Sequence, residues 1–125
     1  MFRKWGISSY IDKDGINPVE KYIIEDHNVK DITVLLNVIE RLSYNGLDLL
    51  DTKMCKRLTE DLWELRKDRH RIIFSQDGSI FILLSGFQKS TKKTPKKDID
   101  LATQRLMDYK NNKIERSMGY KFALN

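Results

Sequence analysis

The chain has one cysteine, Cys55, in 125 residues. A single thiol cannot close an internal disulfide, and no cysteine–histidine metal cluster can be assembled around it. A reducing cytoplasm is the expected setting, with Cys55 as an ordinary buried or half-buried thiol. Long apolar runs are missing as well. None approaches the roughly 20 residues that span a bilayer, and the opening MFRKWGISSY holds no hydrophobic signal core. Neither membrane insertion nor export by such a signal is expected. No internal repeat, low-complexity block or linker interrupts the sequence. Residues 1–125 are therefore expected to form one domain, long enough to bury a core without cross-links. Acidic residues are outnumbered by basic ones, 18 to 23, for a net charge of +5 and a pI near 9.3. This moderate excess favours an anionic partner without identifying one.

What is present reads as a small α+β fold. Residues 2–11 alternate weakly through Phe2, Trp5, Ile7, Tyr10 and Ile11, which predicts a first strand. Asn17-Pro18-Val19-Glu20 is a helix start: Asn17 can cap, Pro18 fits the first helical position, and Glu20 sits where a capping-box carboxylate sits. That helix carries Val19, Tyr22 and Ile23 on one side and ends near His27-Asn28. A second helix follows from the spacing of Val29, Ile32, Leu35, Leu36, Ile39 and Leu42, and Asn45-Gly46 stops it. Residues 47–61 read as polar and irregular, with at most one short turn.

Strands come next. Over Leu62–Arg66, Trp63 and Leu65 point one way, and Leu62, Glu64 and Arg66 the other. Over His70–Ser75, Ile72 and Phe74 oppose Arg71 and Ile73. A two-residue turn at Lys67-Asp68 sets Glu64 opposite Arg71 and Trp63 opposite Ile72, and an odd turn would break that match. Asp77-Gly78 is a hairpin signal that pairs Phe74 with Phe81, Ile72 with Leu83 and Arg71 with Leu84. Ile80–Leu84 is nearly all apolar, as in a strand covered on both faces, and the chain is expected to leave the sheet after Gly86. Thr94-Pro95 caps a last helix whose inner stripe is Ile99, Ala102, Leu106 and Tyr109. The tail from Asn111 onward is not read as an element. The order is β-α-α-β-β-β-α: a small antiparallel sheet packed on an N-terminal helical hairpin, with a C-terminal helix. Trp63, Ile72, Phe74, Phe81 and Leu83 face the hairpin. Glu64, Arg66 and Arg71 lie on the other face, read as partly open and basic, beside five lysines between Lys89 and Lys97. Such a surface suits a polyanion.

LWELR at 62–66, HRIIF at 70–74, ILLSGFQKSTKKTP at 82–95 and the helix with Ala102 and Arg105 together resemble the RelE/HigB-like toxins of bacterial and phage toxin–antitoxin systems, in particular the HigB and phage-derived branch. GLDL at 46–49 and KRL at 56–58 fit the segment that precedes the LWELR strand. The resemblance spans most of the chain and is densest over 46–109. It implies a compact endoribonuclease that cuts messenger RNA on the ribosome, and a cognate antitoxin, typically a helix-turn-helix repressor of the HigA type.

RNA cleavage without a metal asks little of a protein. The ribose 2′-hydroxyl attacks the adjacent phosphate, its proton must be taken, the phosphorane must be neutralised and the 5′-oxygen must leave. A placed acid or base contributes roughly 10²–10⁴-fold. Removing one donor aimed at the developing charge costs on the order of 10²–10³. Arginines and lysines can supply that charge, and the ribosome can supply positioning. By motif position Arg71 matches the family's phosphate-contacting arginine. Its bland alternative is a salt bridge to Glu64, and both can hold if Glu64 orients it. Arg66 is a second phosphate contact, and Lys89 takes the basic position after the Gly-Phe step. Lys92, Lys93, Lys96 and Lys97 are expected on the RNA backbone, the alternative being a solvated charge run. His70, by alternation, points with Ile72 toward the hairpin. His27 at a helix end is more simply a C-terminal charge. The family tyrosine that moves protons has no counterpart in Thr91–Lys96, so Glu64 or His70 would have to serve as base. No metal or cofactor is expected.

Gly86-Phe87-Gln88-Lys89-Ser90 lacks the spacing of a phosphate-binding P-loop and follows an antiparallel strand, which argues against nucleotide hydrolysis. A rival reading keeps the fold without the catalysis: a module that binds nucleic acid or a protein target, as in the gyrase-poisoning ParE branch.

Overall fold

A computed structural model of the protein describes residues 4–25, 27–90 and 92–123, with no side chains beyond residue 113. Phe2 of the expected first strand lies outside these residues. The elements run β1 (Gly6–Ser9), α1 (Pro18–Glu25), α2 (Val29–Asn45), a 3-10 turn (Gly46–Asp51), β2 (Cys55–Arg57), β3 (Trp63–Lys67), β4 (His70–Asp77), β5 (Ile80–Gln88) and α3 (Lys96–Ala123). The architecture is α+β as expected.

Local chemistry explains the helices. The Asn17 side chain accepts from the Glu20 amide at 3.0 Å, and the Asn28 side chain from the Asp31 amide at 2.9 Å. Each satisfies one of the orphan N–H groups of a first turn. Gly46 ends α2 at φ 57°, its N–H bonded to the Leu42 carbonyl. A β-carbon there would also lie 2.5 Å from the Trp5 indole nitrogen. Glycine is needed both for the left-handed backbone and for the space.

The sheet order is β1-β5-β4-β3-β2. It differs from expectation in several ways. The first strand is shorter than residues 2–11 and joins β5 in parallel, so the sheet is mixed. The stretch 47–61, read as irregular, supplies the 3-10 turn and the edge strand β2. β5 continues through Gln88 rather than leaving the sheet at Gly86. The β3–β4 turn has two residues as argued, but they are Asp68-Arg69, with Asp68 at φ 53°. Trp63 therefore opposes Phe74, and Arg66 opposes Arg71. The β4–β5 turn is Gly78-Ser79, and Phe74 opposes Leu83 where Phe81 was expected. Ile73 opposes Ser85, so Leu84 is an extra residue, a β-bulge. Beyond it Ile72 opposes Gly86 and Arg71 opposes Phe87, in place of Leu83 and Leu84.

Before the bulge the face assignment survives, because sliding a register by two residues preserves the side of every side chain. Leu65, Ile72, Phe74, Phe81 and Leu83 pack under α1 and α2 with Val19, Ile23, Leu35, Val38 and Leu42. The opposite face, expected to be partly open, is half covered. Ile73, Ile82 and Leu84 pack there against Ala102 and Leu106 of α3, with Ile99, Tyr109 and Phe87 at the margin. Four polar ties fasten α3: Arg105 donates to the Leu84 carbonyl at 2.9 Å, Tyr10 to Asp108 at 2.6 Å, and Tyr109 and Lys113 to Asp77 at 2.8 and 2.7 Å. The bond to Asp108 pushes the Tyr10 phenol up to about 12. Among the described residues no helix is long and apolar enough to cross a membrane.

Candidate functional site

The apolar cover from α3 stops short of the β3–β4 turn. There the alternation of β3 sends Glu64 and Arg66 to the α3 side, and the alternation of β4 sends Arg71 with them. Glu64 is 1% exposed and Arg71 7%, so both are core groups, against the expectation of an open arginine. Arg71 Nη1 donates to the carbonyls of Asp68 at 2.7 Å and His70 at 2.8 Å. Its Nε lies 3.5 Å from Glu64 Oε1, and the Arg66 Nε lies 3.7 Å from the same oxygen. Among the described residues neither Arg71 Nε nor Glu64 Oε1 has a hydrogen-bond partner. The carboxylate is therefore surrounded by charge but not seated in a close fork. Glu64 and Arg71 are diagonal neighbours, not the directly opposed pair the expected turn gave.

Other strands and the following loop complete the cluster. Lys56 of β2 stands directly across from Glu64. Lys89, just past β5, is fixed at its backbone by an N–H bond to the Arg69 carbonyl at 2.7 Å. Partial burial depresses the Lys89 ammonium below its ordinary range, and Arg71, Arg66 and Lys56 push it the same way while Glu64 opposes them. Burial also lowers Arg71, helped by the nearby Arg66. These mutual effects mark four cations close around one carboxylate. The Thr94 hydroxyl donates to Glu64 Oε2. Thr94 thus spends its hydroxyl on the cluster and does not cap α3. The helix instead begins after Pro95, whose carbonyl accepts from the Asp98 and Ile99 amides.

Of the expected catalytic set, the fold gathers Arg66, Arg71, Glu64 and Lys89. His70 is on the other side of the sheet. Its Nδ1 is hydrogen-bonded to the Tyr22 hydroxyl at 2.6 Å, and its ring sits edge-on to His27 with centroids 4.7 Å apart. His27 Nδ1 donates to the Tyr22 carbonyl at 2.8 Å and closes the end of α1. Gly86 makes room here: a β-carbon would stand 2.5 Å from a Tyr22 ring atom. Burial holds the His70 imidazole below its usual range, and the neighbouring His27 adds to this. Lys92, Lys93, Lys96 and Lys97 are exposed, and Lys96 pairs with Asp100 at 3.4 Å on the surface of α3.

Two participants were missed from sequence. Lys56 escaped because β2 is only three residues long. Thr94 escaped because its partner is 30 residues away. The KRL triple at 56–58 was the one available signal for the first. Cys55, next to Lys56, is buried, and desolvation with the nearby Glu64 pushes its thiol up to about 11, which leaves it inert as a nucleophile. Among the described residues no group of histidine, cysteine, aspartate and glutamate side chains could hold a metal ion.

This is a basic cluster: guanidinium and ammonium groups from three strands and a loop stand near one carboxylate, and the loop that follows carries further exposed lysines. Comparison with curated proteins gives no match. A family comparison matches residues 25–107, which run from the end of α1 through β2, β3, β4 and β5 into α3 and so contain the whole cluster, and by it the chain belongs to the phage-derived Gp49-like proteins.

Proposed function

We propose that the chain is the toxin of a toxin–antitoxin pair, of the HigB type, and that it cleaves messenger RNA on the ribosome. The observation that carries this reading is the convergence of Arg66, Arg71, Lys56 and Lys89 around Glu64, with exposed Lys92, Lys93 and Lys97 beside it. Clustered cations of this kind bind a polyanion backbone. Arginines held by carbonyls and a carboxylate are also preorganised for the charge that grows on a phosphorane, so little reorganisation is needed during reaction. In this reading Arg71 and Arg66 hold the scissile phosphate and Lys89 its second oxygen. Glu64 takes the 2′-hydroxyl proton, since His70 faces the other way. The antitoxin is a partner whose acidic or helical segment covers the basic cluster.

Cleavage of a reporter transcript in a translating extract tests this. Arg71→Ala, Arg66→Ala and Lys89→Ala proteins that keep their fold should each lose on the order of 10² or more of the activity. Full cutting by all three would remove the assignment. A second reading, a binding module without catalysis, is favoured by one observation: among the described residues the cations are joined by no proton-transfer group except Glu64, which is itself tied up by Thr94. Intact transcripts with blocked DNA supercoiling would support a gyrase target. Co-purification with the product of the neighbouring gene would identify the antitoxin in either case.

A further inference from the structure

The basic cluster holds a carboxylate where an anionic substrate group would sit. Glu64 Oε1 is equidistant, within 0.2 Å, from the Nε atoms of Arg66 and Arg71, which is the place of a bridging phosphate oxygen. Yet that oxygen and the Arg71 Nε both lack a hydrogen bond while buried. A carboxylate selected only to pair with Arg71 would close a two-point fork with it. Its other oxygen is held by Thr94, a residue from the same stretch of chain as Lys92 and Lys93. The Coulomb balance favours a second anion here: four cations, Lys56, Arg66, Arg71 and Lys89, face a single negative group. An incoming phosphodiester cannot take the bridging place while Glu64 fills it, because the position between the two Nε atoms has room for one oxygen only.

We infer that Glu64 is an internal stand-in for the substrate phosphate and that Thr94 is the pin that keeps it seated, so that RNA binds by displacing the carboxylate and releasing the loop from it. The inference rests on the proposed ribonuclease reading and adds a gating step to it. Displacement does two things at once. It exposes the guanidinium edges to the phosphate. It also frees the carboxylate, which in its seated position could not receive a proton from a 2′-hydroxyl. Glu64 is then an inhibitor of binding in the resting protein and a proton acceptor in the complex.

The test separates binding from cutting. Affinity is measured by fluorescence anisotropy with a labelled single-stranded RNA carrying 2′-O-methyl groups, which cannot be cleaved. Cutting is measured in a translating extract. Thr94→Val, which keeps shape and removes the pin, should bind the methylated RNA several-fold tighter and cut at least as well as the parent. Glu64→Gln should bind about tenfold tighter, the scale of one charged contact, and should cut poorly. Hydrogen exchange at the Lys92–Thr94 amides should quicken in Thr94→Val without RNA. This third measurement holds even if Glu64→Gln fails to fold. Unchanged or weaker binding in Thr94→Val, with unchanged exchange, overturns the gate. Tighter binding by both variants without cutting by any protein leaves the gate standing and removes the nuclease. Cutting by the parent with no gain in binding does the reverse, and no binding by any of the three proteins together with no cutting in the extract removes both.

Discussion

His70 and Arg71 are adjacent in β4 and opposite in environment. On the α1 side of the sheet, His70 meets Tyr22 and His27 in a ring cluster joined by hydrogen bonds to a hydroxyl and a carbonyl. On the α3 side, Arg71 stands near a carboxylate, another guanidinium and the Lys89 ammonium. The two residues are about equally buried, at 8% and 7% exposure. What differs is whether burial is relieved by neutralisation or by pairing. An imidazole can lose its proton and stay buried at modest cost. A guanidinium cannot, so it must bring an anion with it. The strand end thus separates a group that adjusts its charge from a group that enforces one, and the second is the one suited to recruit a polyanion.

The largest test of this contrast is Arg71→Ala. Removing one partner of a buried pair leaves Glu64 uncompensated, and about 3 kcal/mol of stability should disappear, near the lower end for such pairs because Arg66 remains. His70→Phe across the strand should lose only about 1 kcal/mol, one hydrogen bond to Tyr22. Urea midpoints at unchanged slope would measure both. Similar losses at the two sites would erase the distinction.

Gly86→Ala comes next. The added methyl collides with the Tyr22 ring, and an overpacked contact of this kind costs about 1–3 kcal/mol. The thermal midpoint should fall, while RNA affinity corrected for the folded fraction should not change. A change in affinity would mean the two clusters communicate through β5.

The third test is the pH dependence on the His70 side. Burial lowers its pKa in the folded protein relative to the unfolded chain, where it is near 6.5. Above that pH both states are neutral and the contribution to stability is complete. As pH falls through 6.5 the unfolded chain takes up a proton first, and stability declines until the folded pKa is passed. The slope cannot exceed about 1.4 kcal/mol per pH unit for one proton. It should flatten in His70→Phe and persist in Arg66→Ala. The smallest effect belongs to the rim. Lys92→Ala should leave stability untouched and reduce the logarithmic salt slope of RNA binding by about 0.7. An unchanged slope would place Lys92 away from the backbone path.

The helices and the assignment of faces were readable from residues because each depends on local rules. Asn17, Asn28 and Gly46 sit at their caps, and Trp63, Leu65, Ile72 and Phe74 keep their parity whatever the turn position. The register was not readable. Asp77-Gly78 and Lys67-Asp68 each suggested a turn one residue too early, and nothing in an unbroken apolar run such as Ile80–Leu84 reveals where an extra residue lies. That Arg66 and Arg71 share a face followed from strand alternation, whereas the side taken by Lys89 depends on the extra residue in β5. The burial of Glu64 and Arg71 did not follow from alternation, because Thr94, 30 residues beyond Glu64, closes over the carboxylate.

The surplus residue at Leu84 has an effect out of proportion to its size. Side chains alternate along β5, so an added position exchanges up and down for everything that follows. With it, Phe87 stands across from Arg71 and Gly86 leaves room for Tyr22. Delete one residue there and Phe87 would be driven into the Tyr22 pocket, while the lysine that completes the cationic group would emerge beside the histidines. The handedness of the whole strand terminus, and with it the side of the molecule that can hold an anion, is set by a single irregularity in the pleat.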